Sequence, residues 1–287
     1  MKFIFIMFFV ITALFSVEGI KSIENLETEK SMQKWSDSNF GLEPYRVNYL
    51  LLLGYRKDNY KSYIPTDVYK NVEAELQVSL KLKVKQNIFG LDERYYLSYT
   101  HQSFWQIYSE SSPFRETIYN PEGFVIFPIF DKSMFGLKSL KFALAHRSNG
   151  QGDNRNLDPE VYKIENRSRS INYLYTTIQI QHNNLISELE LWSRIPENSE
   201  TDDNPDIIDY TGFSQLKFRY FINKHIFRVV GRLNFKTNYG AIEGAYSYPL
   251  IIDDVYFYSK IFSGYGESLI DYNNNISKFS VGFSFSL

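Results

Sequence analysis

Apolar and polar positions alternate with a period of two along most of this chain. In the last segment Phe279, Val281, Phe283, Phe285 and Leu287 alternate with Ser280, Gly282, Ser284 and Ser286. A longer stretch repeats the pattern: Val72, Ala74, Leu76, Val78, Leu80, Leu82 and Val84 share one parity, and Glu73, Glu75, Gln77, Ser79, Lys81, Lys83 and Lys85 take the other. Successive strand side chains point to opposite faces, so each segment reads as a strand with one apolar face. A helix would scatter both sets around its axis. The same reading predicts strands near 46–56, 94–107, 115–129, 137–149, 170–183, 185–195, 211–222, 226–237, 241–250 and 253–263. With 72–86 and 277–287 these make about twelve, an even number, as a bacterial outer-membrane barrel requires.

Turn signals separate many of the strands, among them Asn183-Asn184, Asn223-Lys224, Asn238-Tyr239-Gly240, Asp253-Asp254 and Asn273-Asn274-Asn275. Other separators are long, such as 150–169 and 196–210. A soluble β-sandwich or propeller also alternates. Strands of ten or more residues exceed the usual five or six of such folds. Short turns on one side and long loops on the other suit a membrane barrel. The expectation is therefore an all-β, transmembrane antiparallel β-barrel.

The start of the chain breaks the alternation. Lys2 precedes an uncharged apolar run, Phe3 to Val17, followed by Glu18-Gly19 and polar sequence from Lys21. This is the order of a secretory signal, with cleavage expected after Gly19. The run is short for a helix spanning roughly 30 Å of hydrocarbon; a retained anchor is the alternative. Residues 1–19 are read as a signal peptide, 20–45 as an N-terminal periplasmic segment, and 20–287 as the mature barrel domain.

Composition narrows the function classes. Charged residues are 22% of the chain, with 31 Lys+Arg against 33 Asp+Glu. The balance gives no reason to expect nucleic acid as a partner. There is no Cys, which excludes a thiolate metal site and a cysteine nucleophile. Aromatic residues reach 17%, with 23 Tyr and 24 Phe. Tyrosines near strand ends are expected at the membrane interfaces, ring in apolar surroundings and hydroxyl wet.

Polar residues on the apolar parity are the candidate chemistry. Leu140, Phe142, Leu144, His146 and Ser148 share one face, so His146 and Ser148 are expected among lipid-facing side chains. Polar groups there are costly unless paired or near the interface. Residues i and i+2 lie roughly 7 Å apart along a strand. Their side chains can lean together as nucleophile and base. On the following strand Asn172 shares the apolar parity with Leu174, Thr176, Ile178 and Ile180. Its amide oxygen is suited to accept from the imidazole N–H. The plain alternative is an interface pair without chemistry. His182 and His225 fall at predicted turns and read as solvated, as do Asp202, Asp203, Asp206 and Asp209 in an acidic loop.

The segment His146-Arg147-Ser148-Asn149-Gly150, with Arg167-Ser168-Arg169-Ser170-Ile171-Asn172-Tyr173-Leu174-Tyr175 further on, resembles the outer-membrane phospholipase A family of Gram-negative bacteria. So do Tyr99 to Gln106, Ser111 to Thr117, Asp203-Asn204-Pro205-Asp206 and Ser263 to Tyr272. The blocks span roughly residues 95–275. The resemblance implies hydrolysis of phospholipid and lysophospholipid acyl esters (A1, A2 and lysophospholipase activity) at a site facing the outer leaflet. It implies Ser148 as nucleophile, His146 as base and Asn172 as the residue orienting His146. It also implies calcium and an active homodimer. The metal ligands carried over are the carbonyl of Gln151, the side chain of Ser168 and, from the second subunit, the carbonyl of Ser111. Departures from the family pattern are Gln151 in place of Arg, a longer 152–166 stretch, and His101 in place of Gln on a face that contributes to the dimer contact. The alternatives are a passive porin-like channel and a catalytically inactive structural barrel.

Overall fold

The computed structural model describes residues 41–63, 68–129, 136–151, 166–198, 200 and 202–285. The expected signal peptide, most of the segment 20–45, most of the 152–166 stretch and Leu287 lie outside them. Thirteen strand segments follow in chain order: β1 (Leu42–Pro44), β2 (Tyr49–Arg56), β3 (Val72–Gln86), β4 (Arg94–Trp105), β5 (Phe114–Pro128), β6 (Leu137–Ser148), β7 (Ser170–His182), β8 (Leu185–Ile195), β9 (Ser214–Ile222), β10 (His225–Leu233), β11 (Gly240–Pro249), β12 (Tyr256–Gly264) and β13 (Ile276–Ser284). Among the described residues one short helix, α1 (Ile207–Thr211), precedes β9.

From β2 to β13 every strand pairs antiparallel with its neighbour in sequence, β13 pairs with β2, and β1 pairs with β3. Segments β1 and β2 lie on the same side of β3, at Leu80–Leu82 and Val72–Gln77 respectively. They are two stretches of one strand, so the sheet closes as a twelve-stranded barrel. Closure leaves no unpaired edge, which is what lets strands cross hydrocarbon.

The connections divide by end. β7–β8 and β9–β10 join through two residues each, with Asn183 and Asn223 at positive φ. The segments after β6, β8 and β12 at the opposite end are longer. Of the expected strand 211–222, Ser214–Ile222 is strand, while Thr211 ends the helix Ile207–Thr211. Tyr210 packs there against Tyr239, Tyr265 and Tyr272, which favours a compact turn over an extension of β9.

Alternation decides which side chains meet lipid. Leu97, Tyr99, Phe142, Leu144, Leu174, Leu216, Phe218, Ile242, Ile261 and Phe279 are exposed on the outer wall. The interior is filled rather than open. Glu73 and Glu75 are fully buried, and Arg115 is 1% exposed. Arg115 holds Glu73 at 2.9 Å and Asp271 at 2.6 Å. Lys278 meets Glu73 at 3.0 Å, Glu75 at 3.3 Å and Glu267 at 2.8 Å, while Lys260 meets Glu75 at 2.5 Å. Lone buried charges would be prohibitive, and each of these has opposite charge in contact.

A second interior layer is aromatic. Phe124 stacks between Tyr45 and Tyr96, at 5.1 and 5.2 Å between ring centroids. Tyr175 hydrogen-bonds Glu122, and Lys141 Nζ donates to the hydroxyls of Tyr45 (2.8 Å) and Tyr175 (3.0 Å). Many tyrosines expected at the membrane interfaces therefore stand inside the barrel. A lumen crossed by charged groups needs amphipathic filler whose hydroxyls join the network.

Removing one member of the ion-pair lattice leaves opposite charge uncompensated. Arg115→Ala is expected to cost about 3–5 kcal/mol of stability. Urea unfolding followed by tryptophan fluorescence, with heat-dependent gel mobility as a second probe, checks this.

Candidate active site

The site is set by register between β6 and β7. His146 lies directly opposite Asn172, and Ser148 opposite Ser170. Burial follows the expected parity, with Phe142 and Leu144 exposed and Ala143 and Ala145 buried. His146 and Ser148 continue the outward set at the long-loop end of β6, and Asn172 continues that of β7 with exposed Leu174 below it. His146 Nδ1 and Asn172 Oδ1 are 2.8 Å apart. No hydrogen bond joins Ser148 to His146 among the described residues. Such bonds are often long before substrate binds.

A proline helps shape the site. The β5–β6 ladder runs from Pro128 opposite Ser139 to Glu122 opposite Ala145, lapses across Pro121, and resumes at Tyr119 opposite Ser148. Proline has no N–H to give the ladder. The buried Asn120 side chain supplies the missing donor, its Nδ2 reaching the His146 carbonyl at 2.8 Å. The backbone at the histidine is thus held from inside the barrel while its imidazole faces out.

Two buried asparagines anchor the loops beside Ser148, His146 and Asn172. Asn149 Nδ2 donates to Glu116 Oε1 (3.0 Å) and to the Arg167 carbonyl (2.7 Å). Its Oδ1 accepts from the amides of Arg169 (3.1 Å) and Gln151 (3.2 Å). Asn204 clasps Ser170 in both directions, accepting from its N–H at 2.9 Å and donating to its carbonyl at 2.8 Å. Arg194 holds the Asn204 carbonyl at 3.2 Å and Asp202 at 2.7 Å, and Tyr272 hydrogen-bonds Asp206. The acidic loop expected to be solvated is therefore organised around the site. It also delivers Glu197, which accepts from Asn172 Nδ2 at 3.1 Å and from Ser170 Oγ at 3.4 Å. Asn149 and Asn204 fall within the resembling segments without an assigned role, and Glu197 and Asn120 lie outside them.

The carried-over metal ligands are only partly together. Asn149 ties the Gln151 amide to the segment carrying Ser168. Ser168 has its N–H on Asn166 Oδ1 (2.8 Å) and its carbonyl on Arg169 Nη1 (2.6 Å). Among the described residues its hydroxyl has no hydrogen-bond partner, and neither has the Gln151 carbonyl. Ser111 is exposed on the β4–β5 connection at φ 57°. Among the described residues no three or more His, Cys, Asp or Glu side chains converge as metal ligands. The donor set is neutral hard oxygen, which suits calcium held weakly with water completing the shell.

His101 lies in the same outward row as Ser148, opposite Val78 on one side and Tyr119 on the other. Its Nε2 is 3.0 Å from Ser103 Oγ, a second His-x-Ser pair. Ser103 is 1% exposed and also bonds Thr117 at 3.0 Å, so it cannot meet a lipid ester. Only the β6 pair offers an accessible hydroxyl. His225 is not simply solvated: its Nδ1 is 2.8 Å from the Tyr246 hydroxyl. His182 is exposed.

Comparison with known proteins agrees with this architecture. The family profile described as Phospholipase A1 matches residues 24–285. The chain belongs to the phospholipase A1 family. The phospholipase A1 of Salmonella typhimurium is 35% identical over 258 residues, 88% of this chain and 84% of that protein. A putative phospholipase A1 of Neisseria meningitidis is 35% identical over 264 residues, 86% of this chain and 65% of that protein. The outer membrane phospholipase A structure from Escherichia coli superposes with a TM-score of 0.75 at 35% identity, covering 86% of this chain and 93% of that one. The Salmonella typhi outer membrane phospholipase, solved as a dimer with bound calcium, gives 0.75 at 36% identity over the same shares. This member of the phospholipase A1 family is accordingly an outer-membrane β-barrel phospholipase.

Gly150 is the backbone position the site can least alter. It sits at φ 60°, and a Cβ there would lie 2.9 Å from the Tyr119 ring, which stands opposite Ser148. Gly150→Ala is expected to displace Tyr119 and the adjoining loop and to lower turnover by up to about 100-fold. Fatty-acid release from phospholipid–detergent micelles, with folding checked by heat-dependent gel mobility, measures it.

Proposed function

We propose that this chain hydrolyses the acyl esters of phospholipids, at both glycerol positions, and of lysophospholipids, in a calcium-dependent reaction at Ser148, His146 and Asn172 on the lipid-facing exterior, toward the outer leaflet. The observation that carries the proposal is the His146–Asn172 hydrogen bond of 2.8 Å, with Ser148 two residues along the same outward face.

Ser148 Oγ attacks the ester carbonyl while His146 Nε2 takes its proton. The tetrahedral intermediate collapses as His146 protonates the departing lysolipid oxygen, leaving an acyl-Ser148. Water then attacks the acyl carbon, again losing its proton to His146, which returns it to Ser148 Oγ as the fatty acid leaves. Asn172 Oδ1 accepts a hydrogen bond from His146 Nδ1–H throughout. A carboxamide carries no charge to stabilise imidazolium, so orientation and tautomer are its contribution. Substrate arrives by lateral diffusion, which makes a deep pocket unnecessary.

The Gln151 carbonyl and the Ser168 hydroxyl are the positions for calcium on this subunit, with the Ser111 carbonyl of a second copy completing the set. When bound, the ion supplies Lewis-acid stabilisation to the developing oxyanion. Two ligands from one chain and one from another make activity conditional on a homodimer. Exposed Val78, Leu82, Leu97 and Tyr99 beside the site offer apolar area for that contact. A passive channel accounts for none of the outward polar groups, and the interior ion pairs obstruct a pore. Residues 1–19 are taken as a cleaved signal.

Ser148→Ala is expected to reduce fatty-acid release by at least about 1,000-fold with the barrel intact. An unchanged rate removes Ser148 from the reaction. A calcium chelator is expected to stop hydrolysis by the wild type and to be reversed by excess calcium. Full activity in chelator would refute the metal's role.

A further inference from the structure

Glu197 lies two residues beyond Ile195, which pairs directly with Asn172. Continuing that register sets Glu197 opposite Ser170 and diagonal to Asn172, within reach of a long side chain. The contacts agree: Asn172 Nδ2 donates to Glu197 Oε1 at 3.1 Å, and Ser170 Oγ lies 3.4 Å from each carboxylate oxygen.

A carboxylate can only accept hydrogen bonds, whereas an amide has a donating and an accepting end. The end of Asn172 that faces Glu197 is therefore its NH2. Its oxygen is then turned to His146 Nδ1, 2.8 Å away, which fixes the proton on Nδ1. Nε2 is left with its lone pair free for the Ser148 hydroxyl. Without the carboxylate the amide is free to flip. A flipped amide presents NH2 to Nδ1 and favours the tautomer whose Nε2 already carries a proton and cannot act as base.

We propose that Glu197 is a positioning residue for hydrolysis, one that orients the Asn172 carboxamide and through it selects the imidazole tautomer of His146. Its negative charge also acts through the polarised amide to favour the imidazolium formed during attack, an effect a neutral Asn lacks alone. The loop geometry supports a fixed role. Asn204 clasps Ser170 on the far side, and Arg194 braces Asn204, so the segment carrying Glu197 is held at both ends. The proposal rests on the Ser148, His146 and Asn172 reading of the site.

The test uses the full chain refolded in detergent with saturating calcium, assayed for fatty-acid release from phosphatidylcholine–detergent micelles. Glu197→Gln is expected to lower kcat about tenfold with KM within about twofold. Imidazole nitrogen NMR shifts should report the Nδ1–H tautomer in wild type and a mixture in Glu197→Gln. Asn172→Asp alone places two carboxylates face to face and is expected to be poorly active. Combined with Glu197→Gln, the donor and acceptor are exchanged, and activity should recover at least about tenfold over Asn172→Asp. Ser170→Ala removes only the other contact of Glu197 and should lower kcat less than Glu197→Gln does. An unchanged kcat and tautomer in Glu197→Gln, no recovery in the exchanged pair, or an equal loss in Ser170→Ala would each overturn the proposal. Ser148→Ala is the reference arm: retained hydrolysis there defeats the underlying site, while its loss beside an unaffected Glu197→Gln defeats this inference alone.

Discussion

A barrel wall is one strand thick, and every residue in it must face either hydrocarbon or lumen. That constraint governs the rest of the molecule. On the lipid side, leucines and phenylalanines occupy the outward parity, and any polar group there needs a partner within the wall. On the lumen side, charge is tolerated only because Arg115, Lys260 and Lys278 answer Glu73, Glu75, Glu267 and Asp271. The two faces are linked through single residues of the same strand. Asn120, pointing inward, reaches the backbone of the residue whose imidazole points outward.

A site on such a wall solves positioning differently from a pocket. No surrounding shell of side chains is available on the lipid side, so rigidity must come from register, from the lumen and from the loops at the rim. Register places His146 against Asn172. The lumen contributes Asn120 and, through Glu116, Asn149. The rim contributes Asn204 and Glu197. Each of these bonds runs from a buried or half-buried group toward the proposed triad, which leaves the outer side of Ser148 uncovered.

The parts that were legible in the sequence are those that depend on parity alone. Strands such as 72–86, 137–148 and 276–284 follow from alternation, and the same alternation sets His146, Ser148 and Asn172 on one face. What alternation does not carry is the identity of partners across the closed sheet. Glu73 reads only as polar parity; that it meets Arg115 on β5 and Lys278 on β13 depends on which strands become neighbours when the ring closes. The tyrosines show the same limit, since a girdle ring and a lumen ring share one composition. Glu197 was within reach of sequence reasoning, because extending the outward parity of β8 past Ile195 lands on it. Pro196 makes that extension look like the end of the strand, and the carboxylate then reads as loop.

The calcium ligands carried over from the family lie at the opposite extreme from the triad. Two of them sit on segments joined by Asn149, and the third is on the β4–β5 connection at an exposed turn. A neutral donor set holds a divalent cation weakly, and a set divided between copies holds it only when the copies meet. For an enzyme bathed in its own substrate class, such weakness would serve as control on the proposed reading. The His146–Asn172 pair is already formed in a single chain, so control need not act on the base. Under the calcium-dependent dimer proposed above, oxyanion stabilisation would await a second barrel, and the proposed proton relay would stay idle in an intact membrane.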